Sequence, residues 1–247
     1  MQQKLAAILA LDLVTGAIRW SFKALPYDAW NTDCGLPGFD DTPGDNCPST
    51  VGPDYDFGQG PMLFKAKVGG RQTELVGAGE KSGDFWALDR DTGTTVWNTK
   101  VGPGGLTGGL QWGSSTDGTR IYVAAANSTG LQRGYWAALS ASTGALLWTR
   151  PDPSPGLGFP GIFGYSLQGP VASANGVVYG CSLDPSGTMA AMHAATGALL
   201  WTRASGSSCL GGASIVDGTV YWGTGYRTFA PLTTGGHSLV AFSPNGT

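Results

Sequence analysis

One motif returns four times along this chain and leaves little freedom for its fold. It reads ALDLVTGAIRW at residues 10–20, FWALDRDTGTTVW at 85–97, YWAALSASTGALLW at 135–148 and MAAMHAATGALLW at 189–201. The consensus is A-x-D-x-x-T-G-x-x-x-W, and a degraded copy, LVAFSPNGT, occupies 239–247. The closing tryptophans, Trp20, Trp97, Trp148 and Trp201, are separated by 77, 51 and 53 residues. Two nearly equal periods and one longer one point to a single repeat carrying an insertion. Each copy reads as a hairpin: an apolar strand, a tight turn whose Gly (Gly16, Gly93, Gly144, Gly197) supplies a left-handed conformation, and a second strand ending on Trp. Asp12 and Asp89 can accept hydrogen bonds from backbone N–H groups two or three residues on, and Ser140 and His193 fill the same slot.

Upstream of the later copies, TRIYVAA at 119–125, GVVYGCS at 176–182 and GTVYWGT at 218–224 are β-branched and aromatic runs bounded by turn residues, hence further strands. A repeat of about 50 residues with several antiparallel strands cannot bury both faces of its own sheet, so copies must stack on one another. Radial stacking of such sheets is a β-propeller. The repeats of a linear solenoid are usually shorter or helical, which fits this period less well. Composition agrees: 41 Gly among 247 residues serve turns, nine Trp serve burial, and only 13% of residues are charged against roughly 25% in an ordinary soluble domain.

Other classes fall away on the same evidence. A net charge of −3 with no basic stripe argues against nucleic acid. The apolar run LAAILAL at 5–11 is far short of the roughly 18 residues that span a bilayer, and it runs without a cleavage-type break into the first motif, so it reads as a strand rather than a targeting segment. The two histidines form no triad with Ser and Asp, since His193 sits in a turn slot and His237 in a Gly-rich loop.

The four copies resemble the tryptophan-docking motif of quinoproteins, the eight-bladed propellers that bind pyrroloquinoline quinone (PQQ), and the similarity covers essentially the whole chain. With the segment PDYDFGQGPMLF at 53–64, the chain looks closest to the polyvinyl-alcohol-dehydrogenase-like branch. The resemblance implies an all-β fold in one domain over 1–247, an incomplete ring of about four blade repeats similar to the C-terminal portion of such a propeller, with an inserted loop at about 31–53.

Three local matches bear on chemistry. PYDAW at 26–30 and DYDFG at 54–58 look like two halves of the segment that carries the family's catalytic aspartate. On that resemblance Asp54 falls on the base, and Asp56 falls where some relatives place an additional metal-binding carboxylate; which of the two is the base stays open. Alternation along a strand would put both on one face. EKSGDFWALDRDTG at 80–93 resembles the segment whose basic residue contacts the quinone oxygens, a role that carries over to Lys81. GGLQW at 108–112 resembles the Gly-Gly-x-Asn-Trp element bordering the cofactor, with Gln111 in place of Asn and Trp112 either at the cofactor or in the core.

The activity implied is PQQ-dependent oxidation of an alcohol, secondary or polymeric, with Ca2+ or another hard cation whose principal ligands lie in blades that this sequence does not contain. Non-enzymatic scaffold propellers share the repeat, and an inactive truncated homologue or a ring completed by self-association are further readings. Four cysteines form two plausible pairs, Cys34 with Cys47 and Cys181 with Cys209, though four permit three pairings. Cys34 and Cys47 bracket the polar insertion, while Cys181 and Cys209 sit in neighbouring repeats. An even count suggests an oxidising compartment, periplasmic or extracellular. The absence of C-x-x-C offers neither a zinc site nor a c-type haem, and NST at 127–129 and NGT at 245–247 are glycosylation-type triplets.

Overall fold

The protein is described by a computed structural model at residues 6–35, 42–126, 133–155, 169–225 and 233–243. Both glycosylation-type triplets lie outside the described residues.

Among the described residues, five antiparallel sheets follow one another. The first pairs β1 (Ala7–Leu11) with β2 (Ile18–Lys23). Three four-stranded sheets come next. They are β3 (Met62–Val68), β4 (Arg71–Gly79), β5 (Asp84–Asp89) and β6 (Thr95–Lys100); then β7 (Ser115–Thr116), β8 (Arg120–Ala125), β9 (Tyr135–Ser140) and β10 (Leu146–Pro151); then β11 (Ala172–Ala174), β12 (Val177–Cys181), β13 (Thr188–His193) and β14 (Leu199–Ala204). The last holds β15 (Ser214–Val216), β16 (Thr219–Gly223) and β17 (Leu239–Phe242). Within each sheet, consecutive strands are neighbours, the up-and-down order of a propeller blade. Three complete blades flanked by a pair and a triplet of strands amount to about four blade repeats, as the motif spacing implied. Among the described residues no α-helix occurs, and Thr32–Cys34 forms a single 3-10 turn.

The expected runs become strands because both faces of a central blade are buried. Along β5, Phe85 and Ala87 pack toward the next sheet, against Ile121, Val123 and Leu139, while Trp86 and Leu88 pack toward the previous one, against Ile8 and Phe22. Side chains that alternate at period two can all be apolar only when a sheet lies on each side.

The tryptophans join these layers by one geometry. Trp20 donates its indole N–H to the Arg90 carbonyl at 2.9 Å, Trp97 to Ala141 at 3.1 Å and Trp148 to Ala194 at 2.9 Å. In each case the acceptor follows the Asp slot of the next motif. The ring lies against that motif's glycine: a Cβ would come within 2.6 Å of Trp20 at Gly93, 2.5 Å of Trp97 at Gly144 and 2.6 Å of Trp148 at Gly197. These glycines hold φ near +70°. The turns close as expected, with Asp12 Oδ1 accepting from the N–H of Val14 and Thr15, and Asp89 Oδ1 from those of Asp91 and Thr92. Gly16 has the same φ, but nothing lies within 4 Å of its Cβ direction.

This contrast sets a paired test. Gly144→Ala should cost about 3 kcal/mol, combining left-handed strain with a displaced indole, whereas Gly16→Ala should cost about 1 kcal/mol from strain alone. Urea unfolding of the two variants measures the difference, and equal losses would mean the indole contact contributes nothing.

Candidate active site

The long connection from β2 to β3, residues 24–61, holds the insertion and both candidate acids. Residues 51–58 form no strand, so the alternation expected to align Asp54 with Asp56 does not apply. Asp54 instead takes a left-handed φ of 60°, which Asp tolerates better than most side chains. Its N–H has no ladder partner and donates to Asp28 Oδ1 at 3.1 Å, and the next N–H, of Tyr55, donates to Asp28 Oδ2 at 2.6 Å. Two residues on, the Asp56 carbonyl accepts the Lys81 N–H at 2.9 Å. The loop is thereby fastened to the turn between β4 and β5.

That turn aims Lys81 at both acids. Its Nζ lies 2.8 Å from Asp54 Oδ2 and 3.2 Å from Asp56 Oδ2. The lysine side chain is 12% exposed, Asp54 7% and Asp56 50%, so one carboxylate is buried with the cation and the other faces solvent. Burial pushes the Asp54 carboxyl up to about 7; the Lys81 ammonium pulls it down and the neighbouring Asp56 pushes it up, and burial prevails. Glu80 points elsewhere, 1% exposed, with Ser82 Oγ donating to its Oε2 at 2.5 Å, and burial raises its carboxyl too.

Residues 105–111 back this corner. The Lys81 carbonyl accepts the Gly105 N–H at 3.1 Å, the Glu80 carbonyl accepts the Leu110 N–H at 3.0 Å, and Gly109 packs so closely that a Cβ would lie 2.1 Å from the Lys81 oxygen. Gly58 lies on Gln111, where a Cβ would meet its carbonyl at 2.8 Å, and the Gln59 amide donates to the Leu110 carbonyl at 3.1 Å. The acid loop, the lysine turn and the GGLQW segment therefore converge. Gln111 Oε1 and Trp112 Nε1 are both buried without a hydrogen-bond partner. Beside the Lys81 ammonium, which two carboxylates already pair, this corner offers a polar ligand one open acceptor and one open donor.

The donor set does not by itself fit a calcium ion. Calcium takes six to eight oxygens. Here only two carboxylates approach each other, both already paired with Lys81, and no group of three or more His, Cys, Asp or Glu occurs among the described residues.

Of the three pairings open to the cysteines, the chain adopts Cys34–Cys47 and Cys181–Cys209. The first closes the insertion, whose neck is zipped by the Ala29 N–H donating to the Val51 carbonyl at 2.7 Å. Two disulfides suit an extracytoplasmic compartment. No helix among the described residues is long and apolar enough to cross a membrane. Sequence reasoning missed Asp28, although it stands inside the PYDAW segment, because 26 residues separate it from Asp54.

Meandering four-stranded sheets docked by tryptophan define a β-propeller of the quinoprotein type. Residues 81–245 match the PQQ_2 family, described as outer membrane protein assembly factor BamB, and the chain belongs to that family. It is 30% identical over 266 residues to a polyvinylalcohol dehydrogenase of a Pseudomonas sp., covering 97% of this chain and 40% of the relative. The chain thus spans less than half the length of that relative. Among solved structures, the quinohemoprotein alcohol dehydrogenase ADHIIG of Pseudomonas putida HK5 superimposes with a TM-score of 0.66 at 17% identity, over 98% of this chain and 43% of that one. BamB of Moraxella catarrhalis superimposes with a TM-score of 0.52 at 16% identity, over 99% and 62%.

The raised Asp54 carboxyl has a signed consequence. The folded chain holds this proton from the ordinary 3.8 up to about 7, so Asp54 contributes stability that is full below pH 3.8 and is lost as pH rises toward 7. Asp54→Asn should flatten that slope in a stability-against-pH series. Lys81→Met removes the cation that opposes burial, and the Asp54 carboxyl should then titrate above 7 in a carboxyl-carbon NMR titration. An unmoved titration would show that the two groups are uncoupled.

Proposed function

We propose that this chain forms the part of a quinoprotein alcohol dehydrogenase that carries its base and its quinone-facing cation. The observation carrying this reading is the buried Lys81–Asp54 pair at 2.8 Å, with a carboxyl poised near neutral pH beside unpartnered Gln111 and Trp112 atoms. A general base works best when its pKa lies near the operating pH. The similarity to a polyvinylalcohol dehydrogenase supports an alcohol substrate, secondary or polymeric.

Asp54 is the better base of the two acids: it is buried and raised, while Asp56 is half exposed. Asp54, ionised, takes the hydroxyl proton of the alcohol as the C–O bond becomes a carbonyl. PQQ, when bound, supplies the two-electron acceptor for the hydride leaving the alcohol carbon. Lys81, held by Asp54 at 2.8 Å, would stabilise negative charge developing on a quinone oxygen, and a cation already fixed in place would spare reorganisation. Gln111 and Trp112 would orient the ring through their open polar atoms. Asp56 would lend one oxygen to a hard cation whose remaining ligands come from elsewhere. We read residues 1–247 as one partial propeller domain, and its two disulfides support a location in the periplasm or outside the cell.

The test is dye reduction by the protein in a completed propeller, supplied with PQQ and Ca2+. Turnover should require alcohol, Lys81→Ala should abolish it, and Asp54→Asn should lower kcat by about 100-fold or more. An absence of turnover in the completed, folded propeller would sink the reading. The likeness to BamB supports a second one, a non-catalytic scaffold. Failure to bind PQQ in an absorbance titration would favour it.

A further inference from the structure

We infer that Asp28 is a positioning residue that holds Asp54 against Lys81, and that the insertion between Asp28 and Asp54 is tolerated because this carboxylate, beside the Ala29–Val51 bond at the neck, fixes where the chain re-enters the site. The inference rests on the reading of Asp54 as the base.

Asp28 is 7% exposed, and both of its oxygens are used. Oδ1 accepts the N–H of Asp54 at 3.1 Å and that of Trp30 at 3.4 Å, while Oδ2 accepts the N–H of Tyr55 at 2.6 Å. A short charge-assisted bond of this kind is about twice as strong as a neutral one. The chain comes close here: Gly52, at φ +91°, packs so that a Cβ would lie 2.6 Å from Asp28 Oδ1 and 2.8 Å from its Cα. Gly52 thus supplies both the left-handed turn and the room that let residues 53–55 lie on the carboxylate.

Among the described residues no other hydrogen bond holds the Asp54 backbone. Residues 51–58 belong to no sheet, and the next anchor is the Asp56 carbonyl on the Lys81 N–H. Asp54 is therefore gripped on its amino side by Asp28 and on its carboxyl side by the lysine turn. Its left-handed φ costs energy that these two anchors offset. An aspartate suits this post better than asparagine, because the two N–H groups bind different oxygens, and an amide would turn an NH2 toward one of them.

The experiment compares amide hydrogen exchange by NMR in the chain and in its Asp28→Asn and Gly52→Ala variants, the second crowding the same carboxylate without touching it chemically. Protection of the Asp54 and Tyr55 amides should fall about tenfold in both variants, with the amides of β5 and β6 unchanged. In the completed, PQQ-loaded propeller, Asp28→Asn should lower kcat on the order of 100-fold with little change in KM for the alcohol. The Asp28→Asn, Asp54→Asn double variant should be no slower than Asp54→Asn alone, since Asp28 acts through Asp54. Unchanged protection at residues 54 and 55, an equal loss across β5 and β6, or additive kcat losses would each overturn the inference. Full turnover by Asp54→Asn would instead overturn the base assignment, leaving the exchange result to decide what Asp28 holds.

Discussion

An indole laid on a glycine is the contact on which the rest of this protein depends. Each blade is a meander, and its inner strands, such as β5 and β9, are apolar on both faces and could not stay in water alone. Trp20, Trp97 and Trp148 each cross a seam, cover the turn glycine of the next blade and give their N–H to a carbonyl beside it. A tryptophan removes a large apolar area from water while needing a single hydrogen-bond partner, and the turn offers one carbonyl. The glycine is required twice over, by its positive φ and by the ring that occupies the space of a Cβ. Low charge follows, because stacked sheets leave few positions where a charge could stay wet.

The same stacking creates the candidate site. With the strands committed to the seams, polar groups gather on the connections, and the turn between β4 and β5 brings Lys81 under the loop from β2 to β3. A buried ion pair is a poor source of stability, since desolvation offsets most of the attraction. Here burial outweighs the lysine at Asp54, leaving a carboxyl that titrates near 7 beside a fixed cation. A merely structural pair would do better fully ionised, whereas a group that must exchange protons at neutral pH is suited by this balance.

Much of this was legible in the residues. The period of the motif, the glycine and the Asp of each turn and the closing tryptophans led to strands, hairpins and blades, and the described strands follow those segments. Lys81, Asp54 and Asp56 were singled out and do meet. The reason given for the meeting of the two acids was a strand, and there is none: a left-handed Asp54 and the carboxylate of Asp28 do that work. Local alternation is visible along a sequence, but a bond across 26 residues and a disulfide-closed loop is not.

By itself, then, the sequence determined the repeating architecture, because hairpin turns and interblade docking rest on residues at fixed short spacings. It also singled out Lys81, Asp54 and Asp56, which the fold brings together. Tertiary structure settled the cysteines on the two plausible pairs, Cys34–Cys47 and Cys181–Cys209, and alone decided that Lys81 is buried between unequal acids and that Asp28 grips the loop. Those outcomes depend on distances between segments far apart in the chain and on how much water each group retains, neither of which is encoded in the spacing of neighbours.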